Sequence, residues 1–283
     1  MLNHWQEISV SHGDLQLAVR IHGDFAAPPL IALHGWQDNS ATFELLASLL
    51  PDARIIAVDL PGHGLSSSRH REGHYYIWTY VADVLAVADG LNLRSFTLLG
   101  HSMGGAIASL FAALYPERVK NLILLDAVGP LTSQPEDAPA QMLKSIRQHQ
   151  SLRPDNRHHY PDFMSAVKAR SDKGLSLQAA TILGKRGILR DEKGYHWNLD
   201  PRLSRANLLS LTEEQAEVFI RKITCATLLI ISNYYWLDKK ERLVSRRSFF
   251  QNLDTHFLNG NHHQHLDGNV EAVADLIKAF LAL

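Results

Sequence analysis

The residues with the clearest chemical use are Gly100-His101-Ser102-Met103-Gly104-Gly105. The apolar run Ser95–Leu99 precedes them, and a helical pattern through Tyr115 follows. A Gly-x-Ser-x-Gly in that setting holds its serine in a strained turn, at the carboxyl edge of a sheet and beside the positive end of a helix. Gly100 and Gly104 remove the side chains that would collide in so tight a turn. The competing use of such a serine is to cap the helix. A serine hydroxyl is a poor nucleophile until a neutral imidazole takes its proton. The run Asn259-Gly260-Asn261-His262-His263-Gln264-His265-Leu266 offers three such rings. Three close imidazoles could instead hold zinc, but that needs a suitable geometry and often a carboxylate. With a nucleophile turn already present, acyl transfer is the stronger use, and no metal or cofactor is expected. His158-His159 reads as solvated surface.

These groups must be positioned by alternating strands and helices. Strands are predicted at Leu15–Ile21, Leu30–Leu33, Arg54–Asp59, Ser95–Leu99, Leu122–Asp126, Thr227–Ile231 and Thr255–Leu258. Several are apolar at every position, as strands buried on both faces are. Helical periods fall between them. Ile77, Tyr80, Val81, Val84, Leu85, Ala88 and Leu91 share one face, as do Ala106, Ile107, Leu110, Phe111 and Leu114. Val270, Val273, Ala274, Ile277 and Phe280 make a closing amphipathic helix. Such alternation signals a mostly parallel sheet covered by helices. It breaks between Gly129 and Ile223, a proline-containing stretch with scattered charge and no convincing strand. Thr212-Glu213-Glu214-Gln215 reads there as a capping box opening a helix. About ninety residues are too many for a loop, so a helical cap is predicted at 130–222, between core segments 1–129 and 223–283.

Composition narrows the partners. Lysine plus arginine number 28 against 29 aspartate plus glutamate, which supplies no general field for nucleic acid or an anionic membrane. No window is long and apolar enough for a membrane span. The first residues lack the pattern of a secretory signal, so a cytoplasmic protein is expected. The single cysteine, Cys225, excludes an internal disulfide and a cysteine zinc cage. Sixteen histidines are the unusual count, against about six at average usage. A few are expected to do chemistry or shape turns, and the rest to be exposed and to charge the surface below about pH 6.

Taken together, the chain resembles the serine hydrolases of the α/β-hydrolase superfamily over nearly its whole length. The matching segments are His34-Gly35-Trp36, Asp59-Leu60-Pro61-Gly62-His63-Gly64-Leu65-Ser66, the turn at Ser102, and Gly260-Asn261-His262-His263. Trp197-Asn198-Leu199-Asp200-Pro201-Arg202-Leu203 most resembles the serine hydrolase-like proteins. The resemblance implies an α/β-hydrolase fold: a mostly parallel eight-stranded sheet flanked by helices, with the cap inserted after strand 6. Dehalogenases and epoxide hydrolases of this superfamily carry aspartate where this chain has Ser102, so acyl transfer is favoured over both.

The resemblance also implies roles. The backbone N–H groups of Trp36 and Met103 would form the oxyanion hole. His34, His63 and Asp59 would brace their turns. Counting back from the final helix places His263 at the catalytic position, with His262 and His265 as neighbouring alternatives. The acid departs from the usual pattern, because Ser232-Asn233-Tyr234-Tyr235-Trp236-Leu237-Asp238 has tyrosine where an aspartate is expected. Asp126, at a strand end, and Asp238, in a lengthened loop, remain, and both keep the order serine, acid, histidine. Asp126 is favoured because a strand end fixes a side chain better than an irregular loop. Trp36, Tyr234, Tyr235 and Trp236 would form an aromatic substrate wall. Phe163, Met164, Ile182, Leu183, Ile188 and Trp197 would line an acyl pocket or form the core of the cap. The implied activity is hydrolysis of a small carboxylic ester through an acyl-enzyme. A thioester, a lactone or a carbon–carbon bond beside a carbonyl are alternatives, as is a ligand-binding protein without turnover.

Overall fold

The computed structural model describes residues 5–151, 157–233 and 237–283, with the side chains of 237–240 outside the description. Ten strands are described: β1 Gln6–His12, β2 Leu15–His22, β3 Pro29–Leu33, β4 Arg54–Val58, β5 Phe96–His101, β6 Val119–Leu125, β7 Ile188–Asp191, β8 Gly194–Trp197, β9 Ala226–Ser232 and β10 Leu253–Leu258. Eight of them form one sheet in the order β1-β2-β4-β3-β5-β6-β9-β10. β1 and β2 run antiparallel, as do β2 and β4, and every other pair in the sheet is parallel. The helices are α1 Glu44–Ser48, α2 Thr79–Gly90, α3 Met103–Leu114, α4 Ala138–Ser151, α5 Phe163–Ser171, α6 Leu177–Gly187, α7 Glu213–Arg221, α8 Leu237–Ser245 and α9 Val270–Leu281. Among the described residues no helix is long and apolar enough to cross a membrane.

Alternation along the buried strands builds a core on each face of the sheet. In β3, Ile31 and Leu33 join the cluster under α2 and α3, with Val84, Ile107 and Phe111. Leu30 and Ala32 point the other way, to Leu46 of α1 and Val273 and Ile277 of α9. A strand buried on both faces needs apolar residues throughout, which is why these runs stand out in the sequence. β1 does not, because much of it is exposed.

The segment between β6 and β9 carries α4 to α7, and Thr212 and Gln215 make the reciprocal capping box there. It also contains the β7–β8 hairpin, in a stretch expected to hold no strand. Four-residue strands joined by a turn give too short an alternation to register as a period. Phe163, Ile182, Leu183, Ile188 and Trp197 pack together with Val167, Leu175 and Leu266, so they form an internal core. Buried polar ties bind this segment to the sheet. Arg186 bonds Asp59 at 2.8 Å, Arg170 bonds Asp38 at 2.6 Å, and Tyr75 donates to Asp200 at 2.7 Å. The chain leaving β6 is held by Arg246, which donates to the carbonyls of Val128 (2.5 Å) and Pro130 (2.8 Å).

Candidate active site

The parallel strands converge on one edge, the carboxyl edge, where α/β proteins bind ligands. β5 delivers Ser102 there, with φ 52° and ψ −115°, immediately before α3. A positive φ strains a non-glycine residue and is held here by the fold around it. Two bonds contribute: the Ser102 N–H donates to the carbonyl of Leu125 at 3.0 Å, and its own carbonyl accepts from Gly105 at 3.0 Å. The glycine requirement is steric. A Cβ on Gly100 would lie 2.3 Å from the Gly104 carbonyl oxygen, and one on Gly104 would lie 2.0 Å from that of Leu33.

β3 leads into His34-Gly35-Trp36. His34 is buried: its Nδ1–H donates to the Gly35 carbonyl at 2.7 Å, and its Nε2 accepts from the Leu60 N–H at 3.0 Å. Both ring nitrogens are spent on bracing the loop. Asp59 is likewise consumed, accepting from the N–H groups of Ser40 and Leu65 at 2.7 Å each. Trp36 is 38% exposed. Met103 opens α3, so its N–H is one of the donors that a helix leaves unpaired.

Asp126 stands just beyond β6 with φ 51°. Its Oδ1 accepts from the Ser232 N–H at 2.5 Å, at the end of the adjoining β9. Its Oδ2 faces His262, whose Nδ1 is 3.3 Å away. His263, the histidine expected to serve as base, turns elsewhere: its Nε2 lies 3.0 Å from Asp38 Oδ2. Successive residues of the turn point in different directions, so His262 faces Asp126 at the sheet edge and His263 faces Asp38. His101 connects this turn to the strand end that carries Ser102. Its Nε2–H donates to the His262 carbonyl at 2.8 Å, and its ring lies 4.6 Å from that of His262 and 4.3 Å from that of His265. His265 is fully buried and bonds Thr42 Oγ1 at 2.8 Å.

Asp38 and Arg170 carried no sequence signal beyond their charge, yet they join three segments of the site. Burial opposes ionisation of Asp38, but the neighbouring His263, Arg170 and His101 outweigh it and hold the carboxyl well below its usual range. Asp238 falls in the first turn of α8, and its side chain lies outside the description. Tyr234, Tyr235 and Trp236 are outside the described residues altogether.

The expectation of mostly exposed histidines does not hold. Among the described residues only His70 and His158 are exposed, while His34, His63, His101, His196 and His265 are buried. Burial pushes His63 and His265 down to about 3. Burial, then the nearby His265, His262 and His263, push His101 well below its ordinary value. An unfolded chain takes up these protons near pH 6.5 while the folded one refuses them, so folding stability should fall as pH drops from about 6.5 towards 3. Each such group contributes up to about 1.4 kcal/mol per pH unit in that window. Urea midpoints should decline already between pH 6.5 and 5, above the range where ordinary carboxylates titrate. A midpoint unchanged from pH 7 to 5 would contradict this.

A cleft of about 260 Å³ opens beside the loop that follows β3, lined by Gln37, Tyr160 and Trp197 together with Arg157, Arg170 and Lys173. Of the apolar residues considered for an acyl pocket, Trp197 alone lines it, and Met164 is exposed. The others are occupied in the core described above.

Residues 28–268 match the family model described as the alpha/beta hydrolase fold. A serine hydrolase-like protein of Danio rerio is 32% identical, over 94% of this chain and 85% of that one. The human serine hydrolase-like protein 2 is 30% identical, over 94% and 90%. Among solved structures, a hypothetical protein from Pseudomonas aeruginosa PAO1 superposes with a TM-score of 0.93 at 35% identity, over 98% of this chain and 99% of that one. A thioesterase domain from the curacin biosynthetic pathway gives 0.85 at 25% identity, over 97% and 99%. With its sheet order, its strained serine turn and these relatives, the chain belongs to the α/β hydrolase fold family and is similar within it to the serine hydrolase-like proteins.

Proposed function

We propose that the protein is a serine hydrolase of small acyl esters, with Ser102 as nucleophile, His262 as base and Asp126 as acid. The observation that carries this reading is the Asp126–His262 pair, at 3.3 Å, on the same sheet edge as the strained Ser102. Asp126 accepts Nδ1–H and so leaves the His262 Nε2 lone pair to take the Ser102 hydroxyl proton. Ser102 Oγ then bonds to the ester carbonyl carbon, and the N–H groups of Trp36 and Met103 stabilise the oxyanion. His262 returns its proton to the departing alkoxide. Water repeats the sequence on the acyl-enzyme and releases the acid. The chemistry draws on these side chains, the two backbone N–H groups and water. Residues 130–222 act as a cap over the site.

The cleft bears on the substrate. Arg170 is neutralised by Asp38, whereas no ion pair is formed by Arg157 or Lys173 among the described residues. Two unpaired cations beside aromatic walls favour an acyl compound with an anionic end over a purely apolar one. The same feature suits a thioester with a phosphorylated thiol, and the similar thioesterase domain supports keeping that second reading.

Treatment with a fluorophosphonate should label one residue, Ser102, stoichiometrically, and Ser102→Ala should not be labelled. Hydrolysis of p-nitrophenyl esters and of acyl thioesters by the unlabelled protein then separates the two substrate readings. Absence of labelling in a folded protein would leave a ligand-binding role instead.

A further inference from the structure

A second polar constellation lies in the segment between β6 and β9, apart from the proposed triad. Asp191 ends β7 and His196 lies in β8, where Asp191 pairs with Gly194 and Leu189 with His196. Side chains two residues apart share a face of a strand, so Asp191 and His196 are diagonal neighbours on one face of the hairpin. A third segment docks beside them: the Tyr160 N–H donates to the Tyr195 carbonyl at 2.7 Å and the Tyr195 N–H donates back at 2.9 Å. That backbone bridge fixes His159. As a result His159 Nε2 stands 3.0 Å and His196 Nε2 3.5 Å from the same atom, Asp191 Oδ2.

We propose that His159, Asp191 and His196 bind a divalent cation of the zinc class. The three ligand atoms lie within 4.8 Å of one another. Metal–ligand bonds of about 2.0–2.2 Å in a tetrahedron set ligand atoms about 3.3–3.6 Å apart. Both distances to Asp191 therefore approach the edges of such a site. The outer bonds are those a metal site uses. His196 Nδ1–H donates to the Trp197 carbonyl at 3.2 Å, which fixes the tautomer whose Nε2 lone pair faces Asp191. Asp191 Oδ1 accepts from the Lys193 N–H at 2.8 Å in the turn, which leaves Oδ2 as the ligand atom. Two imidazoles and one carboxylate oxygen match zinc better than calcium or magnesium, which prefer oxygen ligands throughout. His196 is buried while Asp191 is exposed, so an ion can enter from solvent.

The other group of suitable composition among the described residues, Asp38, His101 and His263, is less fit for an ion. Arg170 already occupies Asp38 Oδ1 at 2.6 Å, and its guanidinium repels a cation. The consequence of binding at the outer site is mechanical. His158 and Tyr160, which flank His159, line the cleft, as does Trp197 beside His196. An ion would clip two walls of the cleft together.

The test uses tag-free full-length protein stripped with a chelator. Titration with zinc chloride in a calorimeter should show one saturable equivalent, and cobalt(II) should give the visible absorption of a tetrahedral centre. Zinc should raise the melting temperature of the wild type. His159→Ala and Asp191→Asn, both at accessible positions, should each weaken binding at least tenfold and cancel the thermal shift while remaining folded. No saturable binding by the wild type would overturn the proposal. Unchanged affinity in the two variants would do the same, as would loss of binding only in His263→Asn.

Discussion

His262→Asn should lower kcat/KM for a p-nitrophenyl ester by about 10⁴-fold or more, the usual consequence of removing a triad base. The loss should fall on kcat, because the ring acts on a proton in flight rather than on the bound ester. His263→Asn should behave differently. His263 bonds Asp38, which keeps Arg170 as its partner at 2.6 Å, so turnover should change by about tenfold or less. Its cost should appear in stability, at about 1–3 kcal/mol for a buried acceptor left short of a donor. Steady-state kinetics and urea titrations on the two variants give four numbers that separate a base from a strut. Equal collapse of turnover in both variants, or collapse in His263→Asn alone, would return the base to His263.

Asp126→Asn should reduce kcat by about 10⁴-fold with an unchanged unfolding midpoint. The amide can keep the bond from the Ser232 N–H through its oxygen, and asparagine tolerates the positive φ of 51° that this position adopts. It then points NH₂ at His262 Nδ1, which favours the tautomer that carries its proton on Nε2, opposite to the one a base needs. Asp238→Asn should leave turnover within about twofold if Asp126 is the acid, since a triad needs a single carboxylate partner for its histidine. The reverse ranking would move the acid to the first turn of α8.

The strained serine turn was legible because most of its constraints are local. A strand, a tight turn and a helix are adjacent in sequence; Gly100 is required by a contact within the turn, while Gly104 is required by the Leu33 carbonyl of β3. The buried parallel strands were legible because burial on two faces demands uninterrupted apolar residues. β1 and the β7–β8 hairpin were missed for the opposite reason: β1 is largely exposed and polar, and the hairpin strands are short and only partly buried. The segment Trp197–Leu203, read as a family mark, has a structural job. Asp200 accepts from Tyr75, and Arg202 donates to the carbonyls of His70 and Arg71, which ties this segment to the core.

What the sequence determined by itself was the fold family and the strand–turn–helix around Ser102, with a short list of histidines and carboxylates that could work with it. What distinguishes His262, His263 and His265 came only from the tertiary structure, because these residues of one turn face Asp126, Asp38 and Thr42 respectively. The histidine excess changed meaning in the same way. Whether an imidazole is a base, a buried neutral strut or a metal ligand depends on which carbonyl or carboxylate meets each ring nitrogen. Those partners come from segments as distant in sequence as Asp38 and His263, and only folding brings them together.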